Sequence, residues 1–309
     1  MKPQIPLSPR IIRTGEGHCL ELHGEIRYQL LDGQDTGGNF ALAHSKFQKG
    51  AGSPFHVHTR EDEWFCIESG QFRFQIGEKL QILSAGDFVF GPRNVPHSYE
   101  CHSDDGELLI GIVGAGFENF FREIASLSAS GAWPEPEAMR AMATSYGVHF
   151  DAFAAIQLPQ LAPKMVRAGD GECLEAFGDS ARILLASSDT DSRFCLAEVQ
   201  TPSLSGPPPH VHEREDEVFL IRAGRYEFQI GDARVQVQPG DLVFAPRGVA
   251  HSFRVVSGEP GQFLLFAAPG GFDVFFGQCA ELFQSGAVTP QLIGEIGAAH
   301  GVRFLVPEA

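Results

Sequence analysis

His56-Val57-His58-Thr59-Arg60-Glu61-Asp62-Glu63 returns 154 residues later as His210-Val211-His212-Glu213-Arg214-Glu215-Asp216-Glu217, and His97 returns at the same offset as His251. On a β-strand successive side chains alternate between faces, so His56 and His58 share one face, as do His210 and His212. Two imidazoles then converge on one point. Glu63 and Glu217 lie five positions on, and His97 and His251 a further 34, so the returning chain can supply a carboxylate and a third imidazole. This spacing predicts a three-histidine, one-carboxylate metal centre built twice: His56, His58, Glu63 and His97, then His210, His212, Glu217 and His251.

Taken singly, each histidine is better read as a surface or satisfied core residue. The repetition decides otherwise, because a chance match of three His and one acid at one given offset has a probability on the order of 10⁻⁵. With 309 residues the chain is long enough for two cores, and the repeat places the expected domains at 1–158 and 159–309. Gly 35, Pro 20 and Phe 26 point to many tight turns around an aromatic interior, hence to an all-β architecture. A formal net charge of −16 disfavours nucleic acids and anionic membrane surfaces as partners and leaves a small molecule. Residues 1–13 lack the apolar core of a signal peptide, and no apolar run reaches the length of a membrane span, so the expectation is a cytoplasmic protein. The six cysteines form no Cys-x-x-Cys pair and read as reduced core thiols.

Taken in order, residues 1–16 read as an extended lead-in. Ile26–Leu31 and Phe40–Phe47 read as strands about a turn at Asp35-Thr36-Gly37-Gly38, with Ile183–Ala186 and Phe194–Val199 in the copy. Trp64–Glu68 and Phe72–Ile76 flank Ser69-Gly70-Gln71, and Val218–Ile221 and Tyr226–Ile230 flank Ala223-Gly224-Arg225; turn chemistry predicts hairpins. With Glu63 inward, parity turns Phe65 and Ile67 inward and Trp64 and Cys66 outward. Phe72, Phe74, Phe88, Phe90, Phe228 and Phe244 are candidate cavity liners. Phe117, Phe120, Phe121 and Ile124 recur at helical spacing, a stripe read as core cover, with a lid over the barrel mouth as the functional alternative. Second helices are expected at about 135–146 and 290–300, and Gln157–Pro163 reads as a linker. Arg60 and Glu61, with Arg214 and Glu215, read as charge pairs on a solvated turn.

Gly50-x5-His56-x-His58-x4-Glu63-x6-Gly70 and Gly86-x5-Pro92-x-Asn94-x2-His97 resemble the two motifs of the cupin superfamily. The copy carries both, except that Leu204 replaces the leading glycine. Asn94 stands where glycine is usual, and asparagine tolerates the positive φ that the turn needs. The resemblance covers about two thirds of each half. It implies a bicupin, two tandem jelly-roll-like barrels (double-stranded β-helices) with peripheral helices, with the four named residues of each as ligands. The Thr36-Gly37-Gly38 turn, Arg60-Glu61-Asp62-Glu63, Pro92-Arg93 and Gly116-Phe117 are further similar to the bacterial quercetin 2,3-dioxygenases.

The leading expectation is a dioxygenase that opens a flavonol-like or other enolic aromatic substrate with O2, using one divalent transition ion per barrel. Mixed nitrogen and oxygen ligands suit Fe, Mn, Co, Ni, Cu and Zn alike. Glu63 and Glu217 are the candidate catalytic bases for the enolic proton. The alternatives are a non-redox metallo-bicupin (isomerase, cyclase or lyase) using the ion as a Lewis acid, and a non-catalytic binding bicupin, against which two intact quartets count. Tyr226 replaces Phe72 in the copy, which favours the N-terminal barrel as the more active. The Phe-rich helices are compatible with a homodimer.

Overall fold

The computed structural model describes residues 7–114, 116–150 and 160–305. The chain divides into two compact units, Gly15–Asp170 and Gly171–Ala309 together with Met1–Thr14. Each is a seven-stranded antiparallel sheet facing a five-stranded one, the arrangement expected of a jelly-roll-like barrel.

In the first unit the larger sheet runs Lys164–Val166, Phe88–Gly91, Asp62–Ser69, Asp105–Val113, Phe40–Gln48, Glu25–Leu31, His18–Leu22. The smaller runs Val148–His149, Gly52–His58, His97–Cys101, Gln71–Ile76, Lys79–Ser84. The second unit repeats both orders, with Arg10–Ile12 on the edge of the larger sheet beside Leu242–Ala245. The edge strands are therefore exchanged: Arg10–Ile12 joins the C-terminal barrel, and the segment 154 residues on, Lys164–Val166, joins the N-terminal one. Side chains reinforce the exchange. Asp241 accepts from the Thr14 backbone N–H at 3.0 Å and from Arg13 at 2.7 Å, and Asp87 accepts from Ala168 and Arg167, both at 2.8 Å. The contacts thus divide the chain at 14/15 and 170/171 and not at 158/159, because backbone pairing outweighs sequence proximity. The expected linker falls largely on residues 151–159, outside the described residues.

Two expectations about strands need correction. Asp62–Ser69 and Gln71–Ile76 are not a hairpin: the first pairs with Asp105–Val113 and Phe88–Gly91, the second with His97–Cys101 and Lys79–Ser84. Gly70, at φ 75°, carries the chain from one sheet to the other, and a Cβ there would lie 2.4 Å from the Asp105 carbonyl oxygen. A glycine turn between two apolar strands fits a crossover as well as a hairpin, so local chemistry could not separate them. The same holds at Gly224. Phe88 and Phe90 lie opposite Cys66 and Trp64 and so share the outward face; Phe244, opposite Val218, does likewise. Phe72, Phe74 and Phe228 do belong to the interior clusters, as do Phe65 and Ile67.

Among the described residues four α-helices form: α1 (Glu118–Ala129), α2 (Pro136–Ser145), α3 (Phe272–Ser285) and α4 (Pro290–His300). Phe117, Phe120 and Ile124 are buried in the first core and Phe275 and Phe276 in the second, so the stripes cover the cores. After α2 and α4 the chain returns as a strand against the His-x-His strand, pairing Val148 with His58 and Val302 with His212. All six cysteines are free, but Cys19 and Cys173 are exposed rather than in the core. Among the described residues no helix is long and apolar enough to cross a membrane.

Candidate metal centres

His56 and His97 face each other across an antiparallel strand pair, and Glu63 arrives on the neighbouring sheet opposite Gly91. A Cβ at Gly91 would lie 3.6 Å from the His97 ring, in ordinary van der Waals contact, and the matching place in the copy is taken by Ala245. The His97 turn is held from below by Asp62, fully buried, which accepts from the Arg93 backbone N–H at 2.8 Å and its Nε at 3.2 Å. Asp216 holds Arg247 likewise, both contacts at 2.9 Å. Asn94 adopts φ 66° against 80° at Gly248, so the substituted residue makes the same turn.

All four side chains of each quartet are buried, and their donor atoms lie within 4.8 Å of one another. Glu63 Oε2 is 2.9 Å from His97 Nε2, 3.2 Å from His58 Nε2 and 3.9 Å from His56 Nε2. Glu217 Oε2 is 2.9 Å from His251 Nε2 and 3.3 Å from His212 Nε2. The opposite ring nitrogens face acceptors: His56 Nδ1 the Pro54 carbonyl at 2.8 Å, His97 Nδ1 the Val95 carbonyl at 2.9 Å, His210 Nδ1 the Pro208 carbonyl at 2.9 Å and His251 Nδ1 the Val249 carbonyl at 3.1 Å. A carbonyl only accepts, so Nδ1 carries the hydrogen and each Nε2 aims a lone pair inward. His56 Nε2 and His58 Nε2 stand 3.1 Å apart. Lone pairs gathered beside a carboxylate call for a cation, and this donor set fits a divalent transition ion.

The third imidazole is held by a residue that the sequence reading set aside. Glu61 is buried and lies 3.4 Å from His58 Nδ1, and Glu215, equally buried, lies 2.7 Å from His212 Nδ1. Neither is part of a solvated charge pair; Arg60 instead donates to the Ser145 carbonyl at 3.1 Å. The repeated Glu three residues after the second histidine was the available signal, since only the fold shows that this turn folds inward. Phe117 stands edge-on to His58 at 4.6 Å between ring centres, and Phe150 and Phe304 lie 6.1 Å from His56 and His210. Cys101 is buried, with its thiol toward the Phe47 and Ser103 carbonyls. Tyr226 faces Thr201, which also faces Asp179, three strand rows from Glu217. Its hydroxyl therefore serves the far end of the barrel and not the metal centre.

Charge follows geometry. Burial disfavours a proton on His56, and with His97 beside it the value falls to about 4; His210 falls to about 3 through burial and His251. Burial acts the same way on His58, but the Glu63 and Glu61 carboxylates outweigh it and raise the imidazole to about 9. Burial opposes ionisation of Glu63, yet His58, His56 and His97 hold it well below the ordinary carboxylate range, and Glu217 is similarly held at about 2 by its three histidines. A cleft of about 480 Å³ is bordered by Gly38, Arg60, Glu61, Gly116, Asn119 and Tyr146.

A family model described as "Cupin domain" matches residues 43–113 and 198–267. The chain is 24% identical to a quercetin 2,3-dioxygenase of Bacillus subtilis (strain 168) over 87% of its own length and 85% of the relative's. It is 24% identical to a quercetin 2,3-dioxygenase of Aspergillus japonicus over 64% of this chain and 70% of that one. Among solved structures, the formate complex of Lactobacillus farciminis oxalate decarboxylase superposes with TM-score 0.61 at 15% identity, covering 93% of this chain and 96% of the other. The duplicated sheets, the two domain matches and the repeated quartet agree: the chain is a bicupin, two cupin domains in tandem, each with its own buried metal-binding site of three histidines and one glutamate.

Proposed function

We propose that the protein is a metal-dependent dioxygenase that opens an enolic aromatic ring of the flavonol type. The observation that carries this reading is a complete buried quartet in both halves of a chain similar along most of its length to a quercetin 2,3-dioxygenase. A divalent transition ion held by His56, His58, Glu63 and His97 would supply Lewis acidity and a meeting point for enolate and O2.

The protein's own residues do the rest. Glu63 accepts the enolic proton as general base, its carboxylate being the one anionic member of the quartet. Glu61 orients His58. Phe65, Phe74 and Phe117 line the interior with apolar surface that excludes water from the reacting centre. Glu217 holds the corresponding place in the second barrel.

An oxygen electrode tests the reading, with flavonols offered to protein loaded with one metal at a time. The expected result is O2 uptake with at least one pair, most of it lost in Glu63→Gln that retains its metal, and less lost in Glu217→Gln. Fully metallated protein that consumes no O2 across that grid would replace this reading with non-redox Lewis-acid chemistry.

A further inference from the structure

Asp62 and Arg93 belong to neither quartet, yet the first precedes Glu63 and the second lies four residues before His97. The fold joins them across 31 residues. Asp62 is completely buried and takes three hydrogen bonds from Arg93: the backbone N–H at 2.8 Å and Nε at 3.2 Å on Oδ1, and Nη2 at 3.4 Å on Oδ2. The copy repeats all three, Asp216 accepting from Arg247 at 2.9, 2.9 and 2.5 Å. A guanidinium forked over both oxygens of a carboxylate fixes orientation as well as distance, and the added backbone bond carries that constraint into the chain.

What this clasp grips is the turn that aims the third imidazole. The Val95 N–H donates to the Pro92 carbonyl at 3.2 Å, closing the turn around Arg93 and Asn94, and the Val95 carbonyl accepts from His97 Nδ1 at 2.9 Å. On one side the turn is tied through Arg93 to the residue before Glu63. On the other, the Asn94 N–H donates to the His58 carbonyl at 2.7 Å. Three ligands are thereby referenced to one turn through bonds that leave their ligating atoms free, and His56 pairs directly with His97 across the strands. The second centre has the same ties, from Val249 to Pro246 at 3.2 Å and from Gly248 to the His212 carbonyl at 2.7 Å.

A staple for the fold would require only that the buried carboxylate be met. Comparison of the two turns points further. Proline at 92 and 96 stiffens the first turn, whereas the copy keeps Pro246 but has Ala250 at the second place and Gly248 in place of Asn94. The side-chain fork is shorter in the copy, where the turn is softer. The clasp, and not the second proline, is therefore the element common to both centres. Because Arg93 balances Asp62, the pair adds no net charge beside the ligands, so its action on them is geometric.

We propose that Asp62 with Arg93, and Asp216 with Arg247, are positioning residues of the metal centres, which fix where the third imidazole stands relative to the glutamate. They act through the turn and touch neither ion nor substrate. The assignment holds whatever reaction the ion supports, so it goes beyond the ring-opening reading and does not depend on it.

Co(II) is the probe, because its visible absorption bands report the number and arrangement of ligands. Titrations use the full chain carrying His210→Ala and His212→Ala, so that the first centre is the one that loads. In that background Asp62→Asn keeps an oxygen for the Arg93 N–H but loses the charged fork, and the Arg93 side chain, 35% exposed, can turn to water. Co(II) affinity should fall roughly tenfold to a hundredfold, the scale on which outer partners of metal ligands act, and the bands should change in position or intensity. Arg93→Lys, which keeps charge and backbone N–H but cannot form the fork, should change both in the same sense and by less. Melting of the metal-free variants separates positioning from stapling: earlier melting with affinity and bands unchanged overturns the proposal, as do variants indistinguishable from their parent. Should Asp62→Asn fail to fold, Arg93→Lys decides alone, unchanged affinity and bands again overturning the assignment. Asp216→Asn and Arg247→Lys, in a chain carrying His56→Ala and His58→Ala, test the second centre by the same criteria.

Discussion

At the scale of single residues, His58 is where a proton and a metal compete. Its metal-free pKa, raised to about 9 from 6.5, means that the imidazolium's attraction to Glu63 and Glu61 stabilises the metal-free fold fully below pH 6.5 and is lost as pH rises through 9. Metal binding needs the neutral ring. Affinity at the first centre should therefore rise about tenfold per pH unit between those limits, with about one proton released per ion at neutral pH. Calorimetry in buffers of different ionisation enthalpy measures both, and an affinity flat from pH 6.5 to 9 would falsify the assignment. Leu204 offers a second test. It holds φ 62° where Gly50 stands in the first half at φ 80°, and its side chain is 63% exposed, so little burial offsets the left-handed backbone. Leu204→Gly should stabilise the protein by up to about 1 kcal/mol, read from the denaturant midpoint.

At the scale of elements, the exchanged edge strands tie each barrel to a segment that lies far from it in sequence. Removing residues 1–14 uncovers the strand Leu242–Ala245, which pairs with the strand carrying Glu217, and leaves buried Asp241 without Arg13 and Thr14. Asp241 keeps only the Gln238 backbone N–H, at 3.1 Å, and each lost hydrogen bond to the carboxylate costs on the order of 1 kcal/mol. The truncated chain should melt earlier and lose metal from the C-terminal centre while keeping the N-terminal one. A truncation with unchanged melting and metal content would show that Arg10–Ile12 contributes nothing. Pro290 onward is under a similar constraint, because α4 leads into Val302–Phe304, the strand paired with His210–His212.

For the whole molecule, two complete quartets imply two ions per chain. Elemental analysis after mild reconstitution should give a ratio near two, falling toward one in His210→Ala with the first centre intact, since the quartets lie in separate units. A ratio near one that His210→Ala leaves unchanged would remove the second centre. The barrels are otherwise unequal: one carries Arg27, Gln29, Ser45 and Tyr99, the other Ala181, Ile183, Val199 and Phe253. The two halves keep the same quartet and differ in their interiors, so a difference in what the barrels bind would come from the walls and not from the ligand set.

The resemblance to the cupin motifs implied the barrel architecture, and the sequence by itself determined the duplication, both quartets, the helical Phe stripes and the turn at Asn94. Each of these is written in spacing or in the conformational preference of one residue, and spacing survives without knowledge of partners. Only the tertiary structure decided which strands pair, that 10–12 and 164–166 change places, that Phe88, Phe90 and Phe244 face outward, and that Glu61 and Glu215 turn inward onto a histidine. A strand's alternation says that it has two faces but not which neighbour covers them, and a glutamate in a turn looks the same whether water or an imidazole meets it. Those choices are made by burial across tens of residues, where backbone hydrogen bonds and apolar surface must be satisfied together.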